Sequence, residues 1–275
     1  MKPLHPNILF HFIFLVGIAF PLLGESKDMI FYDAVRAEAS GDLEKAIKIY
    51  KTLSEKSHSA SLHANLANLF FKVEDYAKAV LHFRKAIWID PGNRDYIANL
   101  SLALEMSGVT PQNLPESSPI FSPRFQTITL IIFSLFAWSG ILTFTLFFRR
   151  PIISKKPFWI AALFLIGSFT LSWIFLKSAE HTSRLNREVI AIQSLAQHNE
   201  AENALALRVF AGNGSSANTI IPLGSSLFLD LGEDGLPRVH KSPNGDKWYL
   251  ARSFSGSDKG WIQRNEFEPI LDLEL

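Results

Sequence analysis

The sequence predicts a multidomain fold: an all-α helical repeat, a transmembrane α-helical hairpin, then an all-β domain of the small-barrel type. Three observations predict it. Residues 27–110 repeat a pattern of small and apolar side chains at a spacing of 33–34, the mark of stacked helical pairs. Thr127–Phe148 and Phe158–Leu176 carry no charged residue over 22 and 19 positions, and about 20 apolar residues at 1.5 Å each cross a hydrocarbon core of about 30 Å. After Arg187 the apolar period shortens to brief β-branched and aromatic runs separated by Gly, Asn, Ser, Asp and Pro, which is how short strands and turns read.

In chain order, residues 1–26 have the layout of an export signal or an N-terminal anchor. Lys2 is followed by an apolar stretch to Leu23 and by the small residues Gly24 and Ser26. Residues 27–110 hold the helical repeat. Its best copy, Ser59–Pro91, carries Leu66, Ala67, Phe70, Asp75, Tyr76, Ala79, Phe83 and Ala86. Small Ala67 and Ala79 let two helices approach, Phe70 and Phe83 fill the space beside them, and Asp42 and Asp75 are placed to cap the second helix of each unit. Pro91-Gly92-Asn93 stops one helix before the next begins. This pattern resembles the tetratricopeptide repeat (TPR), a 34-residue helix–turn–helix unit, of which about two and a half copies are present. The resemblance implies peptide binding on a concave face lined by the first helix of each unit. It makes Asn65, Asn68 and Asn99 candidate peptide-binding residues, with caps or cross-links between helices as the plainer role for these amides. Ala64 and Asp95 stand where relatives carry carboxylate-clamping cations.

Residues 111–126 are rich in proline and read as a semi-stiff linker. The two charge-free runs, 127–148 and 158–176, are expected as transmembrane helices around a basic loop, 149–157. Arg149, Arg150, Lys155 and Lys156 there would fix the topology, since short basic loops stay in the cytoplasm. Both flanking domains would then lie outside, in the periplasm of a bacterial inner membrane. The spans contain no ionisable residue, which argues against a transport path.

Residues 177–275 are expected to form the small barrel. Leu207-Arg208, Pro222-Leu223-Gly224, Gly245-Asp246-Lys247-Trp248-Tyr249-Leu250 and Lys259-Gly260-Trp261-Ile262 follow one another in an order similar to that of bacterial SH3-like (SH3b) domains. Trp248, Tyr249 and Trp261 are candidates for an aromatic groove, against the plainer reading that they pack the interior.

Net charge is +1 and cysteine is absent. No global field favours nucleic acid, and disulfides and thiolate chemistry are excluded. Eight histidines are scattered without ligand spacing, and no phosphate loop or nucleophile elbow is present. No cofactor, metal or catalytic residue is expected. The order of modules resembles the BatE-type proteins of bacterial aerotolerance operons. That resemblance implies von Willebrand factor A-type membrane proteins, other TPR proteins and a MoxR-type ATPase as partners. The expected function is a non-enzymatic inner-membrane adaptor with two periplasmic domains. The alternative is a cell-envelope sensor whose SH3-like domain binds peptidoglycan.

Overall fold

The computed structural model describes residues 25–110, 123–149, 156–193, 203–254 and 256–271. Five helices come first: α1 (Glu25–Ala39), α2 (Leu43–Lys56), α3 (Ala60–Lys72), α4 (Tyr76–Ile89) and α5 (Arg94–Met106). Two longer helices follow, α6 (Pro123–Arg149) and α7 (Lys156–Leu185). The chain ends in eight strands: β1 (Glu188–Ala191), β2 (Ala204–Arg208), β3 (Ala217–Pro222), β4 (Ser226–Leu229), β5 (Val239–Lys241), β6 (Lys247–Ser253), β7 (Lys259–Gln263) and β8 (Phe267–Pro269).

The first five helices stack as pairs, α1 with α2 and α3 with α4, and α5 stands as a third first-helix. Ala67 and Ala79 are fully buried where α3 meets α4, and Phe70, Phe83, Leu66 and Tyr50 fill the interior around them. The Asp42 carboxylate accepts from Lys45 N and that of Asp75 from Lys78 N, both at 3.2 Å. Each satisfies a backbone donor left over at a helix start.

The turns inside the units repeat to the residue. The first helix ends each time in a left-handed residue: Gly41 (φ 80), Glu74 (φ 63) and Gly108 (φ 76). The next N–H then bonds back to the helix, from Asp42 to Ala37 O, Asp75 to Phe70 O and Val109 to Leu104 O, at 2.9–3.0 Å. The left-handed conformation costs an L-residue about 1–2 kcal/mol, of which glycine returns part through its freer unfolded chain. Glu74→Gly is therefore expected to raise stability by about 0.5–1 kcal/mol, read as a higher thermal midpoint. An unchanged or lower midpoint would mean that Glu74 is not held by this turn alone.

The sheet covers α4. Nearly the whole length of that helix is buried, including Val80, Leu81, His82, Arg84 and Ile87, where a two-layer stack would leave one face open. Ile190 of β1 and Ile270, directly after β8, belong to the same apolar cluster as the helices. The turn between β3 and β4 comes so close that a Cβ on Gly224 would lie 2.9 Å from Ser107 Oγ and 3.6 Å from Val80 Cγ2. At the centre of this contact Arg84 Nη2 donates to both oxygens of Glu188, at 2.8 and 2.7 Å, and Ser226 Oγ donates to Glu188 Oε1 at 2.8 Å. The two charged side chains are 5% and 1% exposed. The sheet of the same chain thus completes the short helical stack.

The strands correct the expectation of a closed SH3-like barrel. Pairing runs β3-β2-β7-β6-β4-β1-β8, with β5 added on β6. The path ends at β3 and β8, which do not pair with each other among the described residues. Closure requires the end strands to meet. β3 is largely exposed, so it has little to bury against a closing strand, and the segment after β8 is held by the helical core through Ile270. The expected motifs land on β2, the β3–β4 turn, β6 and β7 of this open sheet.

The expected membrane hairpin is also corrected: among the described residues no helix is long and apolar enough to cross a membrane. The two helices pack on each other, and Gly167 lies under Phe136, 2.9 Å from where a Cβ would stand. The export signal or anchor expected at 1–26 lies outside the described residues up to residue 24, and α1 begins at Glu25. The expected linker lies outside them over 111–122, and the remainder starts α6. Of the basic loop, Arg149 ends α6 and Lys156 starts α7, and 150–155 lie outside the described residues.

Candidate functional site

The repeat offsets of 33 and 34 put Val35, Asn68 and Leu102 at one position of the successive first helices α1, α3 and α5. Each stands six residues before the left-handed turn residue of its unit. All three are exposed, Val35 at 40% and Leu102 at 47%. Tyr32, Asn65 and Asn99 occupy the position three residues earlier, one turn along the same helix face. Tyr32 is exposed, whereas Asn65 and Asn99 are half-buried.

The three amides are not equivalent. Asn65 is hydrogen-bonded to the Tyr50 hydroxyl of α2, so it ties the second unit to the first. Burial above all, with the nearby Glu38 carboxylate, raises the Tyr50 pKa above the ordinary phenol value. Asn68 projects into solvent, and an exposed amide offers both donors and an acceptor to a passing backbone. Sequence reasoning singled out the asparagines and passed over the exposed Val35 and Leu102 at the same repeat position as Asn68. The same offsets applied to Asn68 would have found both.

The aromatic candidates are held differently. Trp248 and Tyr249 are neighbours on β6, and both are 1% exposed. Trp248 lies under the Arg208 guanidinium at 5.0 Å, and Arg208 makes two hydrogen bonds to Glu266, at 2.8 and 2.9 Å. Tyr249 meets Phe267 edge to face at 5.4 Å. Trp261 is half-exposed on β7 beside His240. The structure therefore does not gather these three rings on one surface. The peptidoglycan alternative is corrected here, because it needed an SH3-like module with an aromatic groove. The open sheet, with Trp248 and Tyr249 inside it, leaves that alternative without support.

Among the described residues no group of three or more His, Cys, Asp or Glu is placed to hold a metal. The family model for the tetratricopeptide repeat matches residues 60–93, which is α3, α4 and the turn after them. No curated protein matches the chain. The resemblance to BatE-type proteins is corrected by the same findings, since it required a membrane hairpin and a barrel beside the repeat. The von Willebrand factor A-type, TPR and MoxR-type partners, and the inner-membrane, periplasmic location, rested on that resemblance and on the hairpin. They are withdrawn with it. What the chain is similar to is one tetratricopeptide unit, at its second helical pair.

Proposed function

We propose that the chain is a non-enzymatic adaptor whose helical stack holds an extended segment of another protein along Val35, Asn68 and Leu102. The observation that carries the reading is the contrast between the two sides of the stack. One side is covered by the chain's own sheet over α4. On the other, one repeat position leaves two apolar side chains and an amide in solvent. Stacked repeats use such a face to bind extended partners. In this reading Val35 and Leu102 take apolar side chains of the bound segment, Asn68 and Asn99 meet its backbone, and Asn65 stays on Tyr50.

The test is selection from a displayed library of random peptides on the purified full chain, followed by affinity measurement for the selected peptides. Asn68→Arg combined with Leu102→Asp is expected to weaken them on the order of tenfold or more, with the helical circular dichroism unchanged. Selected peptides that bind the folded double variant as tightly as the parent would overturn the assignment of this face.

A further inference from the structure

The opposite face of α3 borders a groove of about 750 Å³. His63 and Phe70, which face it, lie nearly across the helix from Asn68 at 3.6 residues per turn. Helices α2, α3 and α4 form one wall, and the segment from Glu268 to Leu271 forms the other. Its lining is largely apolar, with Ile47, Phe70, Trp88 and Ile270. A cleft of this size, apolar with a few convergent polar groups, is the usual form of a ligand site.

Basic side chains gather around the two histidines of the groove. His63 and His82 meet at the base, Nδ1 to Nδ1 at 3.3 Å, with His82 stacked on Phe70. Lys51 of α2 and Lys85 of α4 line the groove, and neither is in an ion pair among the described residues. Lys78 of α4 lines it as well and is paired with Asp75 at 2.6 Å. The facing acids are Glu55 of α2 and Glu268 of β8, and His58 stands after α2. Burial first, then Lys85, His63, Lys51 and Lys78, hold the His82 pKa well below the ordinary imidazole value. The lysines all act on His82 in the same sense, and Lys51 and Lys85, outside any ion pair among the described residues, are the groups there that a bound carboxylate would meet.

We propose that this groove binds an acidic segment of a partner protein in which carboxylates alternate with leucine-like side chains. The carboxylates reach Lys51 and Lys85, and the apolar side chains enter between Phe70, Trp88 and Ile270. The site is separate from the Val35–Asn68–Leu102 strip. The sequence beyond Leu271, Asp-Leu-Glu-Leu, has the same alternation and is the natural competitor. A bound carboxylate offsets the lysines at His82 and so raises its pKa. Binding then takes up a proton, and affinity tightens as pH falls below the ordinary imidazole value toward the depressed pKa of free His82.

The experiment titrates the full chain with a fluorescein-labelled peptide of alternating Asp and Leu, with alternating Lys and Leu as control. Expected are binding of the acidic peptide alone and weakening on the order of tenfold by Lys51→Glu and by Lys85→Glu. Tighter binding at lower pH, lost in His82→Gln, is also expected, and Asn68→Arg should have no effect. Circular dichroism checks that each variant is folded. No binding, equal binding of both peptides, or charge reversals without effect would overturn the proposal. Weakening by Asn68→Arg would move the peptide to the strip and overturn it too. Binding that emerges only after removal of residues 272–275 would assign the groove to the chain's own end and overturn the partner reading.

Discussion

Glu188→Ala is expected to lower the free energy of unfolding by about 3–5 kcal/mol, the cost of leaving a buried charge without its partner. Arg84 comes from the middle of α4 and Glu188 from the first residue of β1, and both are almost wholly out of water. The guanidinium is already short of one partner, since its Nε is buried without an acceptor. Removing the carboxylate would strand the remaining N–H groups and the Ser226 hydroxyl as well. Replacing both members by apolar residues, Arg84→Met with Glu188→Leu, is expected to cost far less, because neither charge is then left behind. Urea unfolding of the full chain followed by helical circular dichroism and by tryptophan fluorescence is the measurement. The two signals should move together in Glu188→Ala, because the pair joins helices to sheet. A loss under about 1 kcal/mol, the range of a surface pair, would show that the contact holds without it.

Trp248→Ala is expected to cost about 3–5 kcal/mol, as large-to-small changes at buried aromatic residues do. The ring is 1% exposed and lies under Arg208, so its loss opens a cavity against a buried cation. Trp248→Phe separates the two contributions. The indole Nε1 is buried without an acceptor, and an unpaired buried donor costs about 1–3 kcal/mol. Phenylalanine gives up volume but removes that donor, so the variant is expected to keep more than half of what alanine loses. Phenylalanine as harmful as alanine would mean that the indole N–H has a partner in solution.

The local physics of the helical half was legible in the sequence. The caps at Asp42 and Asp75, the small residues at Ala67 and Ala79 and the period of the repeat are local features, and local features are what one chain segment can report. The half-used amide Asn65 was not, because its bond to Tyr50 crosses between helices. Arg84 carried a visible signal, a charge in the apolar run Ala-Val-Leu-His-Phe-Arg-Lys-Ala-Ile. Its partner could not be found by period, since Glu188 lies 104 residues on. The strand motifs were readable one by one, yet closure of a sheet depends on which edges meet, and neither β3 nor the end after β8 announces its neighbour. Charge-free length at 127–148 and 158–176 suggested a hairpin, and only the pairing of the two helices is seen among the described residues.

The distance along the chain between Arg84 and Glu188 also sets a timetable. A ribosome adds about 5–20 residues per second, so roughly 5–20 s separate the emergence of α4 from that of the strand that shelters it. Over that interval Val80, Ile87 and a lone guanidinium face water on the nascent chain. The first half of the protein is thus born with a sticky flank, and a chaperone that holds this flank would act before the sheet arrives.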